Sequence, residues 1–173
     1  MSNNNNKLLG EAPWLYVIIS TGLGIGFVPK VPGTAGAFFA LLIWIGLYYI
    51  LSPMWLFIAA IFLVIGSFII GVWTDNVMEK YWGEDPRVVV IDEFFGTWIS
   101  VMSVLFFSGS PYMFIVLSTV AFALFRIIDI TKPLGCRWID KNIHGGIGCM
   151  LDDALAGFYA FIITLIIRFL VTP

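Results

Sequence analysis

The sequence predicts an all-α fold, a polytopic membrane helical bundle of about five transmembrane helices preceded by an interfacial or re-entrant segment. Three observations carry this. The chain of 173 residues is 60% hydrophobic and 12% charged, with a mean hydropathy of +0.98, whereas soluble domains carry about 25% charged residues. Whole segments are apolar all round, where burial of one face would need only a stripe. Ionisable residues crowd into some connections and are missing from others.

Residues 1–13 read as a polar tail and 14–173 as one membrane-embedded domain. The tail carries a single lysine and lacks convincing small-residue cleavage chemistry, so it does not read as a cleaved signal peptide. The first apolar run, 14–28, is interrupted by Gly22, Gly24 and Gly26 and leads into "VPKVPGTAGA". Glycine and proline at this density favour a broken segment at the interface over a straight span.

The uncharged runs that follow are 35–51, 55–73, 94–107, 112–125 and 154–167. At 1.5 Å per residue each of the last three covers about 21 Å, short of a hydrocarbon core of roughly 30 Å. Spanning helices must therefore recruit their flanks, which brings Asp92, Glu93, Arg126, Asp129, Asp152 and Asp153 to one membrane boundary. The connections after the first and third runs, "SP" and "SGSP", are tight and uncharged; the others are long and charged. Lys30, Lys80, Arg87, Arg126, Lys132, Arg137 and Lys141 fall on one side, Arg168 near the other, and the positive-inside rule makes the charged side cytoplasmic.

Four polar clusters converge on that side: "VPGTAG", "VIDEFFGTW", "FRIIDITKPLGCRWIDKNIHGG" and "MLDDALAG". Adjacent carboxylates at an apolar boundary are costly to ionise unless a divalent cation sits between them. Asp92, Glu93, Asp152 and Asp153 are thus candidate ligands, and an oxygen-only set suits Mg²⁺, with Mn²⁺ as a substitute, rather than zinc. The plainer alternative makes Asp92 and Asp152 helix caps. Arg126 and Lys132 supply cations for a phosphate, though Arg126 and Asp129, three apart, could instead lock the helix end as an ion pair. Thr34 is expected as the N-cap of the first span, with backbone N–H groups directed at the same face, where they could bind phosphate or simply form an ordinary cap. His144, the one histidine, is a candidate acid/base or phosphate contact, or else a loop residue. Gly145, Gly146 and Gly148 are expected to give a ligand or a crossing helix close backbone approach. Cys136 and Cys149 lie on the cytoplasmic side, are too few for a zinc site, and read as packing residues. "GLGIG" lacks the spacing of a dinucleotide fingerprint and a Walker lysine.

The motifs "VPGTAG", "IDEFFG", "FRIIDITKPLG" and "GGIGCMLDDALAG", in this order, resemble the phosphatidylglycerophosphatase A family over most of the chain. Gly135 and Cys149 depart from the family pattern without removing an ionisable group. The resemblance implies a Mg²⁺-dependent phosphomonoesterase of the bacterial cytoplasmic membrane, converting phosphatidylglycerophosphate to phosphatidylglycerol and inorganic phosphate. Asp92, Glu93, Asp152 and Asp153 would then hold metal, Arg126 and Lys132 would neutralise phosphoryl charge, and Asp129 would orient Arg126 or act as base. The implied partner is a phospholipid in the bilayer, with no nucleic acid. Two rivals stay open: a small cation channel or transporter using intramembrane acids, and another lipid phosphate-processing enzyme. A transport pathway should spread ionisable groups over several depths, whereas here they gather at one face.

Overall fold

In a computed structural model, described for residues 12–83, 86–105, 107, 109–133 and 135–171, the chain is an all-α bundle. The polar tail expected over 1–13 lies, as far as residue 11, outside the described residues. The first helix, α1 (Trp14–Ser20), has seven residues, about 10 Å, and cannot cross a bilayer. Left-handed backbone at Gly22, Leu23 and Gly24 then turns the chain into a 3₁₀ turn, Ile25–Phe27. This broken segment docks on the loop leading to the fourth helix: the Val90 N–H donates to the Ser20 carbonyl at 2.8 Å. At Gly26 a side chain would collide with the Val88 carbonyl.

Among the described residues, four helices are long and apolar enough to span: α2 (Pro32–Ile50), α3 (Pro53–Trp82), α5 (Pro111–Thr131) and α7 (Gly145–Val171). A proline occupies the first turn of α2, α3 and α5, where its fixed φ suits the helix and its missing N–H costs nothing. The third of the five expected spans differs. Run 94–107 yields only α4 (Ile91–Val101), 11 residues or about 16 Å, followed by a 3₁₀ turn, Met102–Val104. It packs against α2, α3, α5 and α7 and is buried along most of its length. Non-helical backbone is tolerated at membrane depth when protein surrounds it and its polar groups find partners. Arg168 of α7 provides them, donating from one guanidinium nitrogen to the Ser103 and Leu105 carbonyls at 3.0 and 2.9 Å.

Two helices also start or stop beyond their apolar runs. The loop expected to begin at Asp75 is instead helical to Trp82, because Gly71, Thr74, Asp75 and Met78 continue one buried face at helical spacing. The last helix begins at Gly145, seven residues before the aspartate pair. Its first turn is fixed by Asn76 of α3, whose side-chain oxygen accepts from the Gly146 N–H at 3.0 Å. A Cβ on Gly146 would strike the Val72 carbonyl, so α3 and α7 meet backbone to backbone there. The short α6 (Cys136–Asn142) joins α5 to α7 at the charged end.

Candidate active site

The charged ends of α3, α4, α5 and α7 surround a cavity of about 420 Å³. Asp92, Glu93, Asp129, Lys132, His144, Asp152 and Asp153, seven of the nine residues expected at the site, line it. Arg126 and Thr34 do not.

Asp152 and Asp153 sit in the third turn of α7, 7% and 3% exposed, so Asp152 is not the cap of that helix. They are held as follows. Asp152 Oδ2 accepts from the Lys132 ammonium at 2.7 Å, and Asp152 Oδ1 accepts from the Asp153 N–H at 3.1 Å. Lys132 is itself presented by the end of α5, where it adopts a left-handed φ of 45°, and its ammonium also pairs with Asp140 of α6. Burial alone would lower the Lys132 pKa, but the hydrogen bonds to Asp140 and Asp152 outweigh it and leave the group raised, firmly cationic.

Among the described residues, the carboxylates close enough to share one ion are Asp129, Asp152 and Asp153, with ligand oxygens all within 4.8 Å of one another. The expected set was Asp92, Glu93, Asp152 and Asp153. Asp129 joins from the end of α5, which packs on α7, whereas Asp92 and Glu93 stand on α4, where Glu93 pairs with Arg126 and Asp92 accepts from Cys149. The Arg126 guanidinium pairs with Glu93 and, at 2.9 Å, with Asp129, tying α4 to α5. Of the two expectations for Arg126, phosphate contact or ion pair, the ion pair with Asp129 is present and extends to Glu93, and Arg126 does not line the cavity. The Cys149 thiol donates to Asp92 Oδ2 at 3.0 Å.

Thr34 is not the N-cap of α2. That helix starts two residues earlier at Pro32, with Val31 as a cap residue that makes no side-chain bond, and the Thr34 hydroxyl instead accepts from Arg126 at 3.5 Å. The "PGT" motif acts through Gly33: a Cβ there would strike the Glu93 carboxylate, so the glycine leaves the space Glu93 occupies. Asp92 and Glu93 fall in the first turn of α4, where the helix dipole favours negative charge, and the cap position itself is taken by Val90.

The structure adds residues that the sequence reading passed over. Asp75, Glu79 and Asp140 line the cavity, and Cys149, expected only as a packing residue, both lines it and donates to Asp92. The signals were present: Cys149 stands three and four residues before Asp152 and Asp153, hence on their face of the helix. Gly145 and Gly148 line the cavity as expected of backbone near a ligand, whereas Gly146 serves helix packing.

A cation is the natural complement of this donor set. Asp153 is 3% exposed, and its Oδ2 has no hydrogen-bond partner among the described residues. Asp129, Asp152 and Asp153, with Glu93 and Asp140 beside them, share among the described residues only the charges of Lys132 and Arg126, and the excess negative charge is one that hard divalent cations with oxygen preference satisfy.

Comparison with known proteins gives a consistent picture. The sequence pattern of the PgpA family, phosphatidylglycerophosphatase A, matches residues 18–168. A protein of Bacteroides thetaiotaomicron, provisionally named a phosphatidylinositol-3-phosphatase, is 45% identical over 158 residues, 91% of this chain and 96% of its own. Phosphatidylglycerophosphatase A of Escherichia coli is 35% identical over 153 residues, 88% of this chain and 81% of its own. The Haemophilus influenzae protein of the same name is 29% identical over 153 residues, 88% of each chain. No solved structure matches this chain.

Proposed function

Because the chain belongs to the phosphatidylglycerophosphatase A family of membrane phosphatases, we propose that it is a Mg²⁺-dependent lipid phosphatase acting on phosphatidylglycerophosphate. Its products are phosphatidylglycerol and inorganic phosphate, made for phospholipid synthesis at the cytoplasmic face of the bacterial inner membrane. The observation that carries the reading is the Asp129, Asp152 and Asp153 cluster beside Lys132, in a cavity at the charged end of an apolar bundle. A lipid's headgroup phosphate arrives at that depth.

Asp129, Asp152 and Asp153 would hold the metal. When bound, Mg²⁺ supplies charge for the phosphoryl oxygens and lowers the pKa of water. The chain's own residues do the rest. Lys132, held cationic between Asp140 and Asp152, neutralises charge on the phosphate oxygens as the ester bond breaks. Water adds to phosphorus, the P–O bond to glycerol breaks, and the leaving oxygen takes up a proton. In this reading His144, an exposed residue of the cavity lining, delivers it, and a carboxylate of the cavity accepts the proton that water loses. Arg126 keeps Glu93 and Asp129 in place.

The test is phosphate release by the purified protein in detergent, from phosphatidylglycerophosphate and from phosphatidylinositol 3-phosphate, with Mg²⁺ or EDTA. Metal-dependent release from the first substrate is expected. Release that is equal in EDTA would remove the metal from the reading. Preference for the inositol lipid would transfer the assignment to the substrate that names the Bacteroides relative.

A further inference from the structure

The cavity has a neighbour. Lys132, in the cavity wall, also lines a more open groove of about 470 Å³ running along α6, with Arg137, Trp138 and Lys141. Arg137 and Lys141 stand four apart, one helical turn, and so share a face. Among the described residues neither has a carboxylate partner. The acid of this helix, Asp140, is taken by Lys132, and Arg137 gives one N–H to the Thr131 carbonyl at 3.2 Å. Two cations are thus left to face a concave surface that joins the catalytic cavity through a third.

Large apolar side chains are exposed on α6 and on α5. Trp138 is 62% exposed, and on α5 Ile127 and Ile130 are 59% and 68% exposed. Ile130 also lines the catalytic cavity, so an exposed apolar side chain of α5 stands at its opening. An exposed indole beside cations suits the membrane–water boundary, where its ring lies at headgroup level.

We infer that the α6 groove binds the phosphodiester of the same lipid whose terminal phosphomonoester enters the catalytic cavity. The inference rests on the phosphatase reading above and deepens it. A phosphodiester presents two non-bridging oxygens and one negative charge, which a guanidinium and an ammonium one turn apart can hold together. Lys132 stands between the two phosphates, and the acyl chains leave along Ile127 and Ile130. A lipid bearing both a diester and a monoester phosphate fills cavity and groove, whereas a lipid with one monoester fills only the cavity. The groove therefore selects the substrate class.

The experiment compares wild type with the double variant Arg137→Gln, Lys141→Gln in zwitterionic detergent micelles, where general surface charge is minimal. KM for phosphatidylglycerophosphate should rise about tenfold, as the loss of two headgroup contacts implies, with kcat little changed. The apparent affinity for phosphatidic acid, measured as substrate or as competing lipid, should stay as in wild type, which also shows that the variant is folded. Equal weakening toward both lipids would reduce the patch to general attraction for anionic surfaces and overturn the inference, as would no change toward either. Lys141→Gln alone alters only an exposed side chain and supports the same comparison if the double variant does not fold. Failure of wild type to release phosphate from phosphatidylglycerophosphate would instead overturn the phosphatase reading, and the groove's role with it.

Discussion

Gly157 of α7 lies against the backbone of Gly96 of α4, so closely that a Cβ on Gly157 would sit 2.6 Å from the Gly96 carbonyl oxygen. Each glycine follows a cavity carboxylate by one turn, Asp92 before Gly96 and Asp153 before Gly157. Small residues that let two membrane helices touch therefore also fix how far apart their acids stand.

Gly157→Val should push α4 and α7 apart. Overpacking a close contact of this kind costs about 1–3 kcal/mol, so the unfolding temperature in detergent should fall and phosphate release should fall with it. Gly157→Ala should show the same changes at smaller size. A valine variant with wild-type melting and activity would show that the helix contact does not set the site.

Lys132 is the cation that faces the proposed phosphate, and Lys132→Met should lower phosphate release by about a hundredfold, the scale of losing one electrostatic stabiliser. Its raised pKa gives the effect a pH signature. A lysine whose folded pKa exceeds its unfolded value contributes stability fully below the unfolded value, about 10.4, and loses it only as pH rises beyond. The difference in melting temperature between wild type and Lys132→Met should thus stay constant from about pH 7 to pH 9. A difference that fades within that window would mean the ammonium is deprotonated there.

Asp153 pairs high burial with an unpartnered oxygen. Removing a buried carboxylate from a like-charged cluster relieves repulsion, while removing a ligand weakens ion binding. Asp153→Asn should therefore melt higher than wild type in EDTA, gain less on adding Mg²⁺, and release almost no phosphate. If the variant shows the full wild-type gain in melting temperature on adding Mg²⁺, Asp153 is not a ligand.

Arg168 acts at the opposite end of the bundle, on the carbonyls freed where α4 stops short. Arg168→Gln leaves buried acceptors poorly served, at a cost of about 1–3 kcal/mol. Melting temperature should fall while KM for the lipid stays unchanged. A raised KM with unchanged melting would place Arg168 in substrate binding instead.

Much of the site was legible because its signals are local. "DE" and "DD" name carboxylates, "FRIID" puts Arg126 and Asp129 on one face, and their clustering at one boundary follows from counting apolar residues between them. What failed were statements about where helices begin. Thr34 was expected as a cap, and Asp152 had capping as its plainer alternative, because polar residues beside apolar runs usually are caps. The helices start earlier, at Pro32 and Gly145, because Gly33 and Gly146 are packed against Glu93 and Val72 of other helices. The third span was expected at full length because hydropathy does not distinguish a lipid-facing helix from a shorter one enclosed by its neighbours.

The sequence by itself determined the solvent, the helical class, the chemical types at the site and the end of the bundle on which they gather, since composition and one-dimensional spacing are sufficient for each. Only the tertiary structure decided which acids stand together and what each is paired with: Asp129 beside Asp152 and Asp153, Glu93 and Asp129 with Arg126, Asp92 with Cys149. The physical reason is that pairing depends on how closely two helices approach. In this chain that distance is set by contacts such as Gly96 with Gly157, 61 positions apart and invisible to any local pattern.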